Sequence, residues 1–401
     1  MIFWRLLKAA VRKRHDVYVD PSMPGAIGAL QALAVAVAWQ LFPAKQLPGK
    51  ISYKFDKPRD LTIAVIMGES INASRMDLFT PGLKLTPNLL ALMEIGGPFR
   101  LITKRGLSAG VASNASVTGL LGGSPFPWRT EGARSLFDLA TQQGFATFYW
   151  SAQARSAIEL LDRGRFIGNE HCFEQSPADF AVRKDWLLVD KLNALRPGPR
   201  DFLFIYPRCN HAPYVDHGLH PNSPAALDEG CDKWLVNNYD LGMRQFDKVV
   251  SDLLAGFREK ATEDVFVFIS SDHNELLGED GLTGHALSDR AIGAVVPYML
   301  YTNRPDHPVA QAFQAAVSPD AFFLSTMLMS LMGVRPEVEP DHLHSASFVC
   351  NALPFGQSGY MRVAQNASGQ MHEVEHFNRL GERTHVSKQL LPGLAVTPGQ
   401  S

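Results

Sequence analysis

The sequence predicts an α/β protein: a doubly wound, mostly parallel sheet flanked by helices, preceded by a short N-terminal hydrophobic segment. Three features of the chain point to it. The runs Leu61–Met67 (LTIAVIM), Asp201–Tyr206 (DFLFIY) and Val265–Ile269 (VFVFI) have the β-branched and aromatic content of strands buried on both faces. Helical patterns alternate with such runs along the chain. Each run also stops abruptly at residues able to do chemistry: Glu69 and Ser70 after the first, His211 after the second, Asp272 and His273 after the third. In open α/β sheets, ligands bind outside the carboxyl ends of the strands.

The first fifteen residues carry five Lys or Arg among bulky apolar residues, suiting an interfacial helix or a cytoplasmic flank. Residues 25–42 (GAIGALQALAVAVAWQLF) follow as eighteen residues without a charge, at the lower edge of bilayer-spanning length. Two readings stand: a single membrane anchor, or a buried helix or signal-like segment. Residues 1–43 therefore form a basic flank plus candidate anchor, and the Pro- and Lys-rich stretch 44–60 reads as a linker. A catalytic domain is expected over 61–370, and a loosely held polar tail over 371–401.

Within that domain, Thr86 is the expected N-cap of a helix opening at Pro87. Ser108–Gly123 (SAGVASNASVTGLLGG) is small and hydroxyl-rich. It reads either as a tight loop entering a helix, whose N-terminus would receive a phosphoryl group, or as a Ser/Ala-rich helix packed closely on a sheet. Ser135–Gln143 and Trp186–Leu195 look helical, with a strand at Phe145–Trp150. Asn237–Ala261 is a long helix with Leu241, Phe246, Val249, Val250, Leu253 and Leu254 on one face. Ala294–Tyr301 reads as a further strand and Asp320–Met332 as a helix whose methionines fill the core.

Composition narrows the function classes. The 401 residues are 46% hydrophobic and 19% charged, with 38 basic against 40 acidic residues and a net charge of −2. No nucleic-acid partner is expected from that balance. Cys172, Cys209, Cys231 and Cys350 include no CxxC, which excludes a structural zinc knuckle and leaves one or two disulfides or four thiols open.

Glu69, Asp272 and His273 supply two carboxylates and an imidazole from two strand ends. With a serine oxygen as fourth donor they make a tetrahedral zinc site. Such a metal lowers a hydroxyl's pKa and stabilises charge on a phosphoryl or sulfuryl oxygen. His285 lies beyond a Gly-rich turn (Gly278, Gly281, Gly284) that can return it to the same place. His211 and His285 are then candidates to bind the transferred group, to assist the leaving oxygen as acids, or to hold a second metal.

Gly68-Glu69-Ser70, Thr86-Pro87-Asn88 and the stretch SSDHNELLGEDGLTGH ending at His285 resemble the phosphoethanolamine transferases of the alkaline phosphatase/sulfatase superfamily. The likeness covers roughly Leu61 to Val334. Asn72–Met76 and Ser151-Ala152-Gln153 are similar to the branch that modifies the lipopolysaccharide core. The resemblance implies an alkaline phosphatase/sulfatase-like fold, with Glu69, Asp272, His273 and Ser113 as zinc ligands, Ser113 as nucleophile, and His211 and His285 on the substrate side. One zinc is implied, with room for a second. It also implies a ping-pong transfer of phosphoethanolamine from phosphatidylethanolamine to a lipopolysaccharide or other envelope glycan, at the membrane surface. The implied place is the bacterial inner membrane, with the catalytic domain in the periplasm.

The sequence departs from the pattern at four points. No cysteine flanks the nucleophile segment, Tyr206 stands where many relatives carry histidine, Asn274 replaces a glycine, and one hydrophobic segment stands where the family commonly has about five helices. Two alternatives remain. A metal-dependent phosphodiesterase, phosphonate-ester or sulfate-ester hydrolase would use the same residues with water as acceptor, and a non-catalytic envelope protein would merely bind head groups. A formylglycine-type sulfatase is disfavoured, because the chain has no C/S-x-P-x-R; SPFPWR at Ser124–Arg129 has its prolines elsewhere.

Overall fold

The computed structural model describes residues 50–94, 96–123, 131–153, 170–172, 185–211, 214, 233–286, 289–339, 346–351, 359–364, 371–378, 380–392 and 394. The basic flank and the candidate anchor at 25–42 lie outside them. In chain order the elements are β1 (Lys50–Phe55), β2 (Leu61–Gly68), α1 (Pro87–Glu94), β3 (Arg100–Leu107), α2 (Ser113–Leu121), α3 (Leu136–Gln142), β4 (Ala146–Ser151) and β5 (Glu170–Cys172). Then come α4 (Trp186–Ala194), β6 (Arg200–Tyr206), α5 (Lys233–Glu259), β7 (Asp264–Ser271), and the short pair β8 (Leu276–Leu277) and β9 (Thr283–Gly284). The remainder is β10 (Val295–Thr302), α6 (Pro308–Ala315), α7 (Ala321–Leu331), β11 (Val334–Glu339), β12 (Ala346–Cys350), β13 (Tyr360–Ala364), β14 (Met371–Phe377) and β15 (Arg383–Leu390).

A seven-stranded sheet in the order β3-β10-β7-β2-β6-β4-β5 forms the centre. β7, β2, β6, β4 and β5 run parallel, while β10 is antiparallel to both β7 and β3. The three apolar runs legible in the sequence are thus the adjacent central strands. Both faces of the sheet are covered, because successive side chains point to opposite faces. In β2, Ile63, Val65 and Met67 join one core with α2, α3, α6 and α7, and Ala64 and Ile66 join the other with α1, α4 and α5. Tyr239, Met243, Phe246, Val250 and Leu254 form the buried stripe of α5 at helical spacing. Each such side chain contributes about 1.5–3 kcal/mol of burial. The Met-rich helix is core filling as expected, with Met327, Met329 and Met332 buried against the sheet.

Several expectations need correction. The stretch read as a linker contains β1, which pairs antiparallel with β11, because its alternating KISYKF buries Ile51 and packs Tyr53 on the core. The stretch read as a loose tail contains β14 and β15, which close a four-stranded antiparallel sheet with β12 and β13. Polarity misled there: His372, Val374 and His376 alternate with exposed residues, the signature of a half-buried strand. β3, with its interspersed charges, has no strand assigned in the sequence reading because it is an edge strand. Thr86 precedes α1, but its hydroxyl accepts from the Asp77 amide. The capping carboxylate is instead Asp247 of α5, which accepts from the amides of Asn88 and Leu89 at 3.0 and 2.8 Å.

Candidate metal centre

Four adjacent parallel strands deliver the site: β7, β2, β6 and β4 end beside one another and contribute Asp272 and His273, Glu69, Tyr206, and Gln153. The turn after β2 is held by the turn after β7. Ser70 sits at φ 58°, a strained region for a non-glycine residue. It is fixed there by its amide donating to Asp272 Oδ1 at 2.8 Å and its carbonyl accepting from Tyr239 at 2.6 Å. The Ile71 amide donates to Ser271 Oγ at 2.7 Å. Gly68 is where a side chain could not be accommodated: a Cβ would lie 2.5 Å from Ile71 and 2.8 Å from Phe246 of α5.

Glu69, Asp272 and His273 come together with ligand-capable atoms all within 4.8 Å of one another. His273 Nε2 lies 3.6 Å from Glu69 Oε1, 3.4 Å from Asp272 Oδ2 and 3.2 Å from Ser113 Oγ. Its Nδ1 lies 3.1 Å from the Asn274 carbonyl, an acceptor, so the proton sits on Nδ1 and Nε2 presents its lone pair to the cluster. Ser113 is the first residue of α2, whose other side buries Ala115, Val117, Leu120 and Leu121. Both readings of the small-residue segment therefore hold together: a tightly packed helix whose N-terminus faces the cluster.

Glu69 is 3% exposed, and Asp272 and His273 are fully buried. Burial first, then the Asp272 charge, push the Glu69 carboxyl well above the usual range. Burial would raise Asp272 too, but His273 and the hydrogen bonds it accepts hold it below its ordinary value. Burial keeps His273 neutral by lowering its pKa. Two carboxylates without water cost several kcal/mol each unless a positive charge offsets them. The donor set of two carboxylates, one neutral imidazole and one hydroxyl fits a divalent cation of the zinc type.

His285 returns to the site as expected, its ring beside that of His273 with centroids 4.2 Å apart and planes tilted by 30°. The register of β8 with β9 places Glu275 opposite it, and Glu275 Oε2 lies 2.7 Å from His285 Nδ1. Burial lowers the His285 pKa, but Glu275 outweighs it and the net shift is upward. His273, Glu275 and His285 form a second group that could hold a cation. His211 belongs to neither group. It lies in the turn after β6, partly exposed, with its amide donating to the Arg208 carbonyl at 2.9 Å.

Three residues take part in ways the sequence reading did not assign, although it named Tyr206 and Gln153 as parts of motifs. Glu275 stands two residues after His273 inside the quoted stretch, and only the hairpin register reveals its partner. The Tyr206 hydroxyl oxygen lies 2.8 Å from Glu69 Oε2 and 2.7 Å from Asp272 Oδ2, its one proton shared between them. Gln153 Nε2 donates to Glu69 Oε2 at 2.9 Å. Asn274, in place of glycine, donates its amide to the Gly293 carbonyl and its side chain to the Ile292 carbonyl, bracing the metal-side turn on the segment before β10.

A family model described as Sulfatase matches residues 62–334. Among solved structures, the chain is similar to the C-terminal periplasmic domain of EcEptC from Escherichia coli. Identity is 19% over 72% of this chain and 86% of that one, with a TM-score of 0.55. That domain has also been solved in complex with Zn. The integral membrane lipooligosaccharide phosphoethanolamine transferase A from Neisseria meningitidis matches at 16% identity over 76% of this chain and 62% of its own, TM-score 0.57. The lipoteichoic acid synthase LtaP from Listeria monocytogenes matches at 15% identity over 84% and 90%, TM-score 0.53. No curated protein sequence matches the chain.

Proposed function

Because the chain belongs to the sulfatase family, we propose that it is a zinc-dependent phosphoethanolamine transferase, moving the group from phosphatidylethanolamine to a lipopolysaccharide or other envelope glycan through a phospho-Ser113 intermediate. The observation that carries this reading is Ser113 Oγ at the start of α2, 3.2 Å from His273 Nε2 and beside the Glu69–Asp272 pair. A zinc ion held by Glu69, Asp272, His273 and Ser113 would supply Lewis-acid stabilisation of the nucleophile and of phosphoryl charge.

The protein's own groups do the rest. Ser113, its hydroxyl proton given up to solvent before the cycle begins, attacks phosphorus as the oxyanion and leaves as the oxyanion in the second step, and the amides of the first turn of α2, aligned with its dipole, receive the phosphoryl oxygens. His285, paired with Glu275, which raises its pKa, acts as the acid that donates a proton to the departing diacylglycerol oxygen. Neutral again, it accepts the proton of the acceptor hydroxyl when that group attacks phospho-Ser113. His211 is assigned to the substrate side, toward the acceptor or the ethanolamine. Residence in the bacterial inner membrane with this domain in the periplasm is part of the proposal, supported by the periplasmic domain to which the chain is similar. No described helix is long and apolar enough to cross a membrane.

The test is an intact-mass spectrum of zinc-loaded protein after incubation with phosphatidylethanolamine, with peptide mapping and Ser113→Ala alongside. A phosphoethanolamine adduct on Ser113, absent from the variant, with diacylglycerol released, is the expected result. Release from soluble phosphodiesters without any adduct from phosphatidylethanolamine would instead select the hydrolase, and absence of bound zinc would select the non-catalytic reading.

A further inference from the structure

We propose that Tyr206 is a positioning residue for the cation, a phenol placed between the two carboxylates that holds Glu69 Oε2 away from the ion and fixes the separation of Glu69 and Asp272. The inference rests on the metal reading above and deepens it, since it says why this donor set takes a small four-coordinate cation.

The outer oxygens of both carboxylates are already occupied. Glu69 Oε2 accepts from Tyr206 at 2.8 Å and from Gln153 Nε2 at 2.9 Å. Asp272 Oδ1 accepts from the amides of Ser70 and His273, each at 2.8 Å, and from Ser271 Oγ at 3.3 Å. A carboxylate oxygen with two or three donors has little lone-pair capacity left. The oxygens with more capacity left are Glu69 Oε1, which accepts from Ser70 Oγ at 3.0 Å, and Asp272 Oδ2, and these are the two nearest His273 Nε2. Tyr206 also reaches Asp272 Oδ2, at 2.7 Å. Its single oxygen therefore touches both carboxylates and sets their separation.

The phenol is itself rigidly placed. It is 2% exposed, at the last position of β6 between β2 and β4, with its ring edge-on to Phe204 at 6.2 Å. Two carboxylates limited to one oxygen each, with the His273 imidazole and the Ser113 hydroxyl, give four donors. That number suits zinc; calcium takes six to eight oxygens, often from bidentate carboxylates, and magnesium keeps an octahedral shell of waters. Without the Tyr206 hydroxyl, Glu69 is free to turn and bind through both oxygens.

The test is Tyr206→Phe, which keeps the ring and removes only the oxygen. Zinc affinity is measured by competition with a chromophoric chelator, and the cobalt(II) form by its visible absorption, intense when four-coordinate and weak when the coordination number rises. The variant should bind zinc about 10–100-fold more weakly and show weakened cobalt bands, with its melting curve in EDTA like that of the wild type. Gln153→Ala, removing the other donor from the same Glu69 oxygen, should move both readouts the same way by less. Tyr206→Phe with wild-type affinity and spectrum overturns the inference alone. A wild-type protein that takes up neither zinc nor cobalt overturns the metal reading and the inference with it.

Discussion

At the scale of single residues, the site is a problem in keeping charge where water cannot reach. Glu69, Asp272 and His273 are buried together, and Ser70 is held at positive φ so that its amide can serve Asp272. His285 stands apart from them in being partly exposed and paired with the buried Glu275 carboxylate. That pairing raises its pKa, in keeping with the acid role proposed for it. Replacing it, His285→Gln, should lower kcat about 10²–10⁴-fold with phosphatidylethanolamine, whose leaving oxygen needs that proton. An aryl phosphodiester with a good leaving group should be nearly spared, and comparing the two donors side by side checks it. Equal losses on both would mean that His285 binds the phosphoryl group and is not the acid. The sequence made His285 visible, but not Glu275: a carboxylate two residues beyond a ligand candidate has many uses, and the β8–β9 register selects this one.

At the scale of elements, capping shows how far local rules reach. Asp320 caps α7 from the adjacent position, its side chain accepting from the Phe323 amide at 2.8 Å. Burial has a second effect there, pushing its carboxyl up to about 6 despite that hydrogen bond. Because the folded value is above the unfolded one, the folded state binds the proton more tightly. The stability this gives is complete below about pH 4 and is lost as the pH rises through 6. Asp320→Asn keeps an acceptor for the cap without the buried charge. It should be more stable than the wild type by about 1–3 kcal/mol at pH 8, with the gain disappearing near pH 4, as read from urea unfolding at both values. The cap of α1 is not local: Asp247 lies in α5 and meets the helix only after the chain has folded back, where the sequence pointed to Thr86.

At the scale of the whole molecule, the C-terminal sheet belongs to the structure around the site. Its inner residues Met361, Val363 and Val374 share a core with Leu276, Ala291, Ile292 and Val295. Gln389 of β15 accepts from the Ala291 amide and donates to the Asp289 carbonyl, both at 2.8 Å, thereby holding the segment that follows His285. Gln389→Leu leaves that buried amide without a partner and should cost about 1–3 kcal/mol, with faster hydrogen exchange at Ala291 and lower turnover. Unchanged stability and exchange would return residues 371–390 to the status of an attached tail.

The sequence by itself determined the fold class, the three central strands and the identities of Glu69, Asp272 and His273 as a set worth testing, with Ser113 added by the family resemblance. Continuous apolar runs ending in polar residues are local signals, and they survive without knowledge of what packs beside them. The sequence could not decide which side chains complete the site. Tyr206 and Gln153 are set against Glu69 by the order of β2, β6 and β4, Glu275 is set against His285 by a hairpin register, and Gln389 is set against Ala291 by the docking of one sheet on another segment. Each is a contact between residues far apart in sequence or folded back on themselves, and only the tertiary structure brings such residues within hydrogen-bond reach.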